Sequence, residues 1–328
     1  MKPVEEQRYL VLDNQQKEKI LFQNQMLHYG LYTPKPDDVF YGEIPWHWHD
    51  EFEFGYIMGG SILYRTNQQE YLLEEGDGIF VNSGVLHALH PIGPIEKIRL
   101  QSQFFDKSFL AGASGSLLDI QYLAPVQEQK ALDAVPLYGK NPKDAAFLRR
   151  MCESAELGIR RERFFELRMR SIFSELWETV YSWAEQRQSQ KQRFDVREDE
   201  RIKSMMLYIQ EHYSEKLTIQ QIAAHIPVSE RECHRLFQNC LGSTPFEYIA
   251  AHRLQKAQEL LMYTDKSVLD IALETGFGTS SYFGKIFRQH YHMSPGQYRR
   301  FSGFLPRHTA QISKLDLPGA DFAVPEEV

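Results

Sequence analysis

The chain has 328 residues, enough for two domains with full cores, and its 42% hydrophobic and 25% charged content is ordinary for a soluble globular protein. A net charge of −7 disfavours indiscriminate attraction to nucleic acid, and three cysteines make no disulfide framework. No apolar run approaches the roughly eighteen residues of a membrane span, and the polar start Met1–Arg8 lacks a signal-peptide core, so a cytoplasmic protein with no membrane partner is expected.

Residues 1–40 carry scattered apolar groups (Tyr9, Leu10, Ile20, Leu21, Phe22) and Pro34-Lys-Pro36, an arm leading into a β domain. From 40 to 105, β-rich runs such as Phe52-Glu-Phe-Gly-Tyr-Ile-Met and Ile79-Phe-Val are punctuated by Gly59-Gly60, Gly76, Gly78 and Gly84, which predicts a sandwich or barrel. Within it lie His47-x-His49-x3-Glu53-x6-Gly60 and Gly76-x5-Asn82-x-Gly84-x2-His87. On an extended strand His47, His49 and Glu53 share one face because the side-chain period is two. A third histidine from a neighbouring strand would complete a 3-His-1-carboxylate set suited to a first-row metal.

These spacings resemble the two motifs of the cupin fold, a double-stranded β-helix. Three positions depart from the pattern: Gly42 stands one residue too close to the histidines, Asn82 replaces a proline, and Pro91 replaces an asparagine. All four ligand positions, His47, His49, Glu53 and His87, are kept. Three readings stay open: a pocket lined by these residues without metal, a site holding a structural or ligand-orienting divalent metal, and a metal-dependent cupin enzyme with an appended DNA-binding domain. No cofactor is required by the first. Trp46, Trp48, Glu51, Phe54 and Tyr56 around them would suit a polar small molecule such as a sugar or sugar derivative, although aromatics in strands are more often core.

Residues 106–140 read as loop with short helical pieces. From Asn141 the spacing becomes helical, first through Ala146, Leu148, Met151 and Ala155, then through Phe164, Phe165, Leu167, Ile172, Phe173, Leu176, Val180 and Trp183. That stripe would serve either as a dimer seam or as a face packed back on the β domain. A polar stretch, 187–199, reads as a linker. A helix from Arg201 to Tyr213 opens the next domain, and residues 302–328 form a tail.

Between Leu217 and Arg300 the sequence is written twice. Ile222-Ala223 falls on Ile271-Ala272 at an offset of 49, and Phe237 and Pro245 fall on Phe287 and Pro295 at an offset of 50. Each copy has two short amphipathic helices. Their starts carry capping signatures at Thr218-x-x-Gln221, Ser229-x-x-Glu232, Thr244-x-x-Glu247 and Ser294-x-x-Gln297. Pro245 and Pro295 sit where the first helical N–H needs no partner, and Gly276 supplies the turn in the second copy. Such pairs form helix-turn-helix units whose second helix enters the major groove. Thr244–Met262 reads as one long helix between them. Residues 200–300 hold twelve Lys and Arg against ten Asp and Glu, so placed contacts rather than bulk charge must carry DNA affinity.

The stretch Arg201–Arg300 resembles the tandem helix-turn-helix domain of the AraC/XylS family of transcription regulators. The second copy, Ile271-Ala272-x3-Gly276-Phe277-x5-Phe283-x3-Phe287-x7-Pro295, carries the most recognisable part. Pro227 in the first turn is a departure that puts the first reader helix in doubt. The resemblance implies base contacts from Arg231, His234, Arg235, Ser280, Ser281 and Lys285; Arg288 lies on the same exposed face of the second reader. The expectation is therefore an α+β multidomain regulator and not an enzyme. It has a cupin-like effector-sensing β-barrel (1–140), a helical dimerisation segment (141–186), the linker (187–199), an all-α tandem helix-turn-helix domain (200–301) and the tail. Its partners would be double-stranded DNA, a small-molecule effector, a second copy of itself in a homodimer and, for an activator, RNA polymerase.

Overall fold

A computed structural model of the chain describes residues 17–20, 22, 26–33, 44–129, 131–189 and 196–302. Tyr9, Leu10, Leu21 and Pro34–Pro36 of the expected arm, the middle of the linker (190–195), and the tail from residue 303 lie outside these residues. The chain divides into two compact units: one gathers residues up to Glu211 with Thr218–Pro245, the other His212–Leu217 with the residues from Phe246 onward.

In the first unit the predicted β domain is a pair of antiparallel sheets. The strands are β1 (Tyr29–Tyr32), β2 (Ile44–His47), β3 (Phe52–Gly59), β4 (Ser61–Thr66), β5 (Glu70–Glu74), β6 (Gly78–Val81), β7 (His87–Ile92), β8 (Arg99–Phe105) and β9 (Ala134–Leu137). One sheet has the order β1-β8-β3-β6-β9 and the other β2-β7-β4-β5. Alternation along β3 sorts the two cores. Phe52 and Phe54 lie in one apolar cluster with Phe80 and Phe105, while Ile57 belongs to a second with Tyr64, Leu73 and Ile79.

The first of these clusters is completed by helices α3 (Pro142–Arg160) and α4 (Phe165–Ser189). Met151 comes from α3, and Ile172, Phe173, Leu176, Trp177 and Val180 from α4. Phe173 meets Phe105 edge-on with centroids 4.8 Å apart. The helical stripe thus packs back onto the sheet, and its buried members are not available as a dimer seam. Only Phe164 and Leu167 of the stripe stay exposed. Between β8 and β9 run α1 (Lys107–Ala111) and α2 (Ala124–Gln127). Asn82 pins that loop by donating to the carbonyls of Val126 (2.8 Å) and Leu132 (2.9 Å).

Helix α4 runs two residues past Arg187 and α5 (Val196–His212) begins before Arg201, so both ends of the expected linker are helical. The first helix-turn-helix is α6 (Ile219–His225) and α7 (Glu230–Leu241). Helix α8 (Pro245–Tyr263) follows, then α9 (Val268–Glu274), α10 (Ser280–Tyr291) and α11 (Pro295–Ser302). Thr218 and Gln221 close a reciprocal capping box, as do Ser294 and Gln297.

The two turns are closed alike and bent differently. Val228 N–H donates to Ala223 O at 3.1 Å and Phe277 N–H to Ala272 O at 2.8 Å, the same bond 49 residues on. Gly276 takes φ +77, which the aligned Pro227 cannot adopt. The first turn is instead made at Ile226, with φ −120 and ψ 42.

Candidate functional site

The four motif residues of the β domain meet at one buried point. His47 and His87 are register partners on β2 and β7, and Glu53 comes from β3 in the opposite sheet. The chain bends between β2 and β3, so strand parity alone does not bring Glu53 to the histidines; the closing of one sheet over the other does. All four are 1–3% exposed. One ring nitrogen from each histidine lies within 4.8 Å of the others.

The hydrogen bonds fix which nitrogens face inward. His47 Nδ1 meets Pro45 O at 2.8 Å, His49 Nδ1 meets Glu51 O at 2.9 Å, and His87 Nδ1 meets Val85 O at 2.9 Å. A carbonyl only accepts, so each Nδ1 carries hydrogen and a ring that is neutral turns its Nε2 lone pair toward the cluster; burial acts downward on His49, but Glu53 and then Glu18 outweigh it and raise its pKa. Glu53 Oε1 accepts from Tyr64 Oη (2.9 Å) and Ser102 Oγ (2.7 Å). Its Oε2 stands 3.5 Å from both His49 Nε2 and His87 Nε2. Neither Oε2 nor His49 Nε2 has a hydrogen-bond partner.

A fifth group is Glu18, which no sequence signal singled out. Its backbone N–H donates to Trp48 O at 2.8 Å, and its carboxylate lies 3.6 Å from His47 Nε2. Burial pushes the Glu18 carboxyl up to about 8; His49 opposes the shift and Glu53 adds to it. For Glu53 burial also acts upward, but His49 and His87 outweigh it and hold the carboxyl well below the ordinary range. Burial, then His87 and His49, drive His47 well below its ordinary value.

Trp46, Trp48 and Glu51 adjoin this cluster in sequence. Phe54 and Tyr56 do not face it; they pack on the helix side of the sheet. Trp48 leads toward the DNA-binding half of the same unit. Lys203 Nζ of α5 lies 5.7 Å over its ring and donates to Gly84 O. Gly84 N–H in turn donates to His49 O at 2.8 Å. Asp199 pairs with Lys203 at 2.9 Å and accepts from Asn67 Nδ2 at 3.0 Å. Farther along, a Cβ at Gly242, just past α7, would stand 2.6 Å from Arg65 Nη2 of β4.

On α7, Arg231 and His234 are exposed. Arg235 is not free to read bases in this arrangement, since its guanidinium is held by Glu232 and Glu198. On α10, Ser281, Lys285 and Arg288 are exposed and Ser280 is half-buried. Tyr282, 53% exposed in the first turn, joins them; an aromatic at that spacing reads as core from sequence. Buried Phe283 and Phe287 fix which face is outward.

Two family models match the chain, an AraC-like ligand binding domain over residues 40–176 and a helix-turn-helix domain over residues 222–300. The chain belongs to the AraC family of transcription regulators. An uncharacterized HTH-type transcriptional regulator, YdeC of Bacillus subtilis, is 26% identical over 89% of this chain and 98% of its own length. The melibiose operon regulatory protein of Escherichia coli is 26% identical over 78% of this chain and 83% of its own. A crystal structure of ToxT from Vibrio cholerae covers 84% of this chain and 98% of that one at 13% identity and a TM-score of 0.43. As an AraC-family regulator the chain is a DNA-binding protein with a ligand-binding domain and not an enzyme. No described helix is long and apolar enough to cross a membrane.

Proposed function

We propose that this AraC-family regulator senses its effector at the buried cluster of His47, His49, Glu53 and His87 in a cupin-like barrel, and passes the state of that cluster to the first reader helix through α5. The observation that carries the reading is the run of contacts from His49 through Gly84 and Trp48 to Lys203. An effector that binds one arrangement of this run better than the other shifts DNA affinity by that difference. Base readout falls to Arg231 and His234 on α7 and to Ser280, Ser281, Lys285 and Arg288 on α10. Arg235 joins them only when Glu198 and Glu232 release it. A sugar effector has the melibiose relative in its favour; the placement of Phe54 and Tyr56 away from the cluster removes two of its five suggested contacts. The working form is a homodimer, and an activator would also meet RNA polymerase.

Capture of genomic fragments by the full chain, followed by sequencing, supplies the operator. On that operator Lys285→Ala is expected to cost about 1–3 kcal/mol and to relax preference at one base step. Equal losses on operator and random DNA would instead make Lys285 a phosphate anchor.

A further inference from the structure

Two carboxylates hold Arg235 on the outward face of α7, and they come from different helices. Glu232, one turn earlier on α7 itself, accepts from Arg235 Nε at 2.8 Å and from Nη2 at 2.7 Å. That fork fills one edge of the guanidinium. Nη2 has one hydrogen left, and Glu198 of α5 takes it. Reading a guanine needs two parallel N–H groups on one edge, aimed at O6 and N7. With both carboxylates in place neither edge is whole. Glu232 travels with the reader, and an exposed pair one turn apart on a helix contributes little, so DNA can displace it. Glu198 stands on another helix, and its reach to Arg235 depends on how α5 lies against α7.

The β domain fixes that relation. Asp199, next to Glu198, accepts from Asn67 Nδ2 at 3.0 Å. Asn67 sits in the turn between β4 and β5, where Thr66 Oγ1 accepts from the backbone N–H of Gln68 (3.2 Å) and of Gln69 (3.1 Å). Arg65 of the same hairpin lies against Gly242, the left-handed residue that ends α7. One hairpin therefore touches the start of α5 and the end of α7. Between the two helices Met205 Sδ and Cys233 Sγ meet at 3.4 Å, a soft contact that tolerates a small shift. The turn is rooted beside the buried cluster, because Thr66 is the register partner of His87 across β4 and β7.

We infer that Glu198 is an intramolecular competitor of the operator: it occupies Arg235 in place of DNA, and the β4–β5 turn, through Asn67 and Asp199, keeps it there. That role rests on the reading of α7 as the first reader and names the regulation of its site. It gives the β domain a second hold on α5 beside Lys203. When the turn lets go, α5 carries Glu198 away and Arg235 regains the edge it needs.

Operator affinity of the full chain is measured by fluorescence anisotropy at one fixed salt concentration without added effector, on a duplex of the captured operator. Circular dichroism and thermal melts check each variant for fold. Glu198→Gln keeps the shape of the side chain and removes its charge; it should tighten binding about three- to fivefold, the upper range for an exposed ion pair. Asn67→Ala should tighten binding in the same direction. In an Arg235→Ala background, Glu198→Gln should change affinity by less than about twofold, because the pair it breaks is already gone. Glu200→Gln makes the same change of charge at an exposed position two residues on and should also stay within about twofold. No gain from Glu198→Gln overturns the inference. So does a gain that survives Arg235→Ala or that Glu200→Gln matches, since bulk charge then accounts for it. A gain that needs Arg235 but is absent from Asn67→Ala overturns the role of the turn. None of these substitutions alters the cluster or Lys203, so the sensing reading fails separately, when Lys203→Ala is silent while Glu198→Gln still tightens binding.

Discussion

Gly276 joins α9 to the second reader helix, and replacing it with alanine tests how that helix is held. Its φ of +77 costs a side-chain-bearing residue about 1–2 kcal/mol. A Cβ there would also stand 2.7 Å from Tyr213 O and 2.9 Å from Ser214 O. Neither carbonyl can easily retreat. Arg253 binds Tyr213 O and Glu215 O, each at 2.7 Å, and so pins the 213–215 backbone from the other side. Overpacking of this kind typically adds about 1–3 kcal/mol. Gly278 is the control: its φ is +76, but a Cβ there meets nothing within 4 Å. Gly276→Ala should therefore destabilise the second unit by about 2–5 kcal/mol, and Gly278→Ala only by the conformational part, about 1–2 kcal/mol. Hydrogen exchange of α9 and α10 amides reports this unit apart from the β domain, with urea melts as a second measure. Equal losses in the two variants would refute the packing argument, because the backbone cost is common to both.

Two further outcomes follow from the same structure. Burial, helped by nearby Lys256, lowers the His252 pKa from 6.5 to about 3. The unfolded chain then binds a proton that the folded chain refuses, so this histidine makes stability fall as pH drops below about 6.5, by up to ~1.4 kcal/mol per unit until near pH 3. Melts at pH 7.5 and 5.5 should show a smaller loss for His252→Gln than for the parent; parallel losses would remove His252 as the cause. Sedimentation over a concentration series should show a dimer at micromolar protein, and Leu167→Glu, at the exposed α3–α4 corner where Ile159 and Phe164 also lie open, should weaken it if that corner is the seam. A monomer throughout would end the homodimer proposal.

What could be read in advance was what is local. Caps and helical spacing act within a few residues, so the two helix-turn-helix units and their outward faces were legible. The turn at Ile226 was foreshadowed only as a disturbance at Pro227, because a proline forbids one geometry without specifying its replacement. His47, His49, Glu53 and His87 were legible through their motif, though strand parity was the wrong reason: the bend before Phe52 sends β3 into the other sheet. Glu18 lies 29 residues from His47 with no periodicity to mark it. Strand β9 was hidden by Pro136, which sits on a strand at the sheet edge, where a missing N–H is tolerated. The α4 stripe showed an apolar face but not its cover, and a sheet rather than a second copy supplies it. Arg235 looked free because its partner Glu198 is 37 residues away.

The central claim is that the β domain restrains the first reader through α5, and Lys203, with Asp199 beside it, spans them. Operator affinity of the full chain and of Lys203→Ala, measured by fluorescence anisotropy at one fixed salt concentration without added effector, tests this most directly. Loss of the Gly84 and Trp48 contacts should free α5 and tighten binding by about fivefold or more, the lower end of ordinary coupling between sites. Affinities equal within about twofold would contradict the account, since a coupling of ordinary size lies outside that margin.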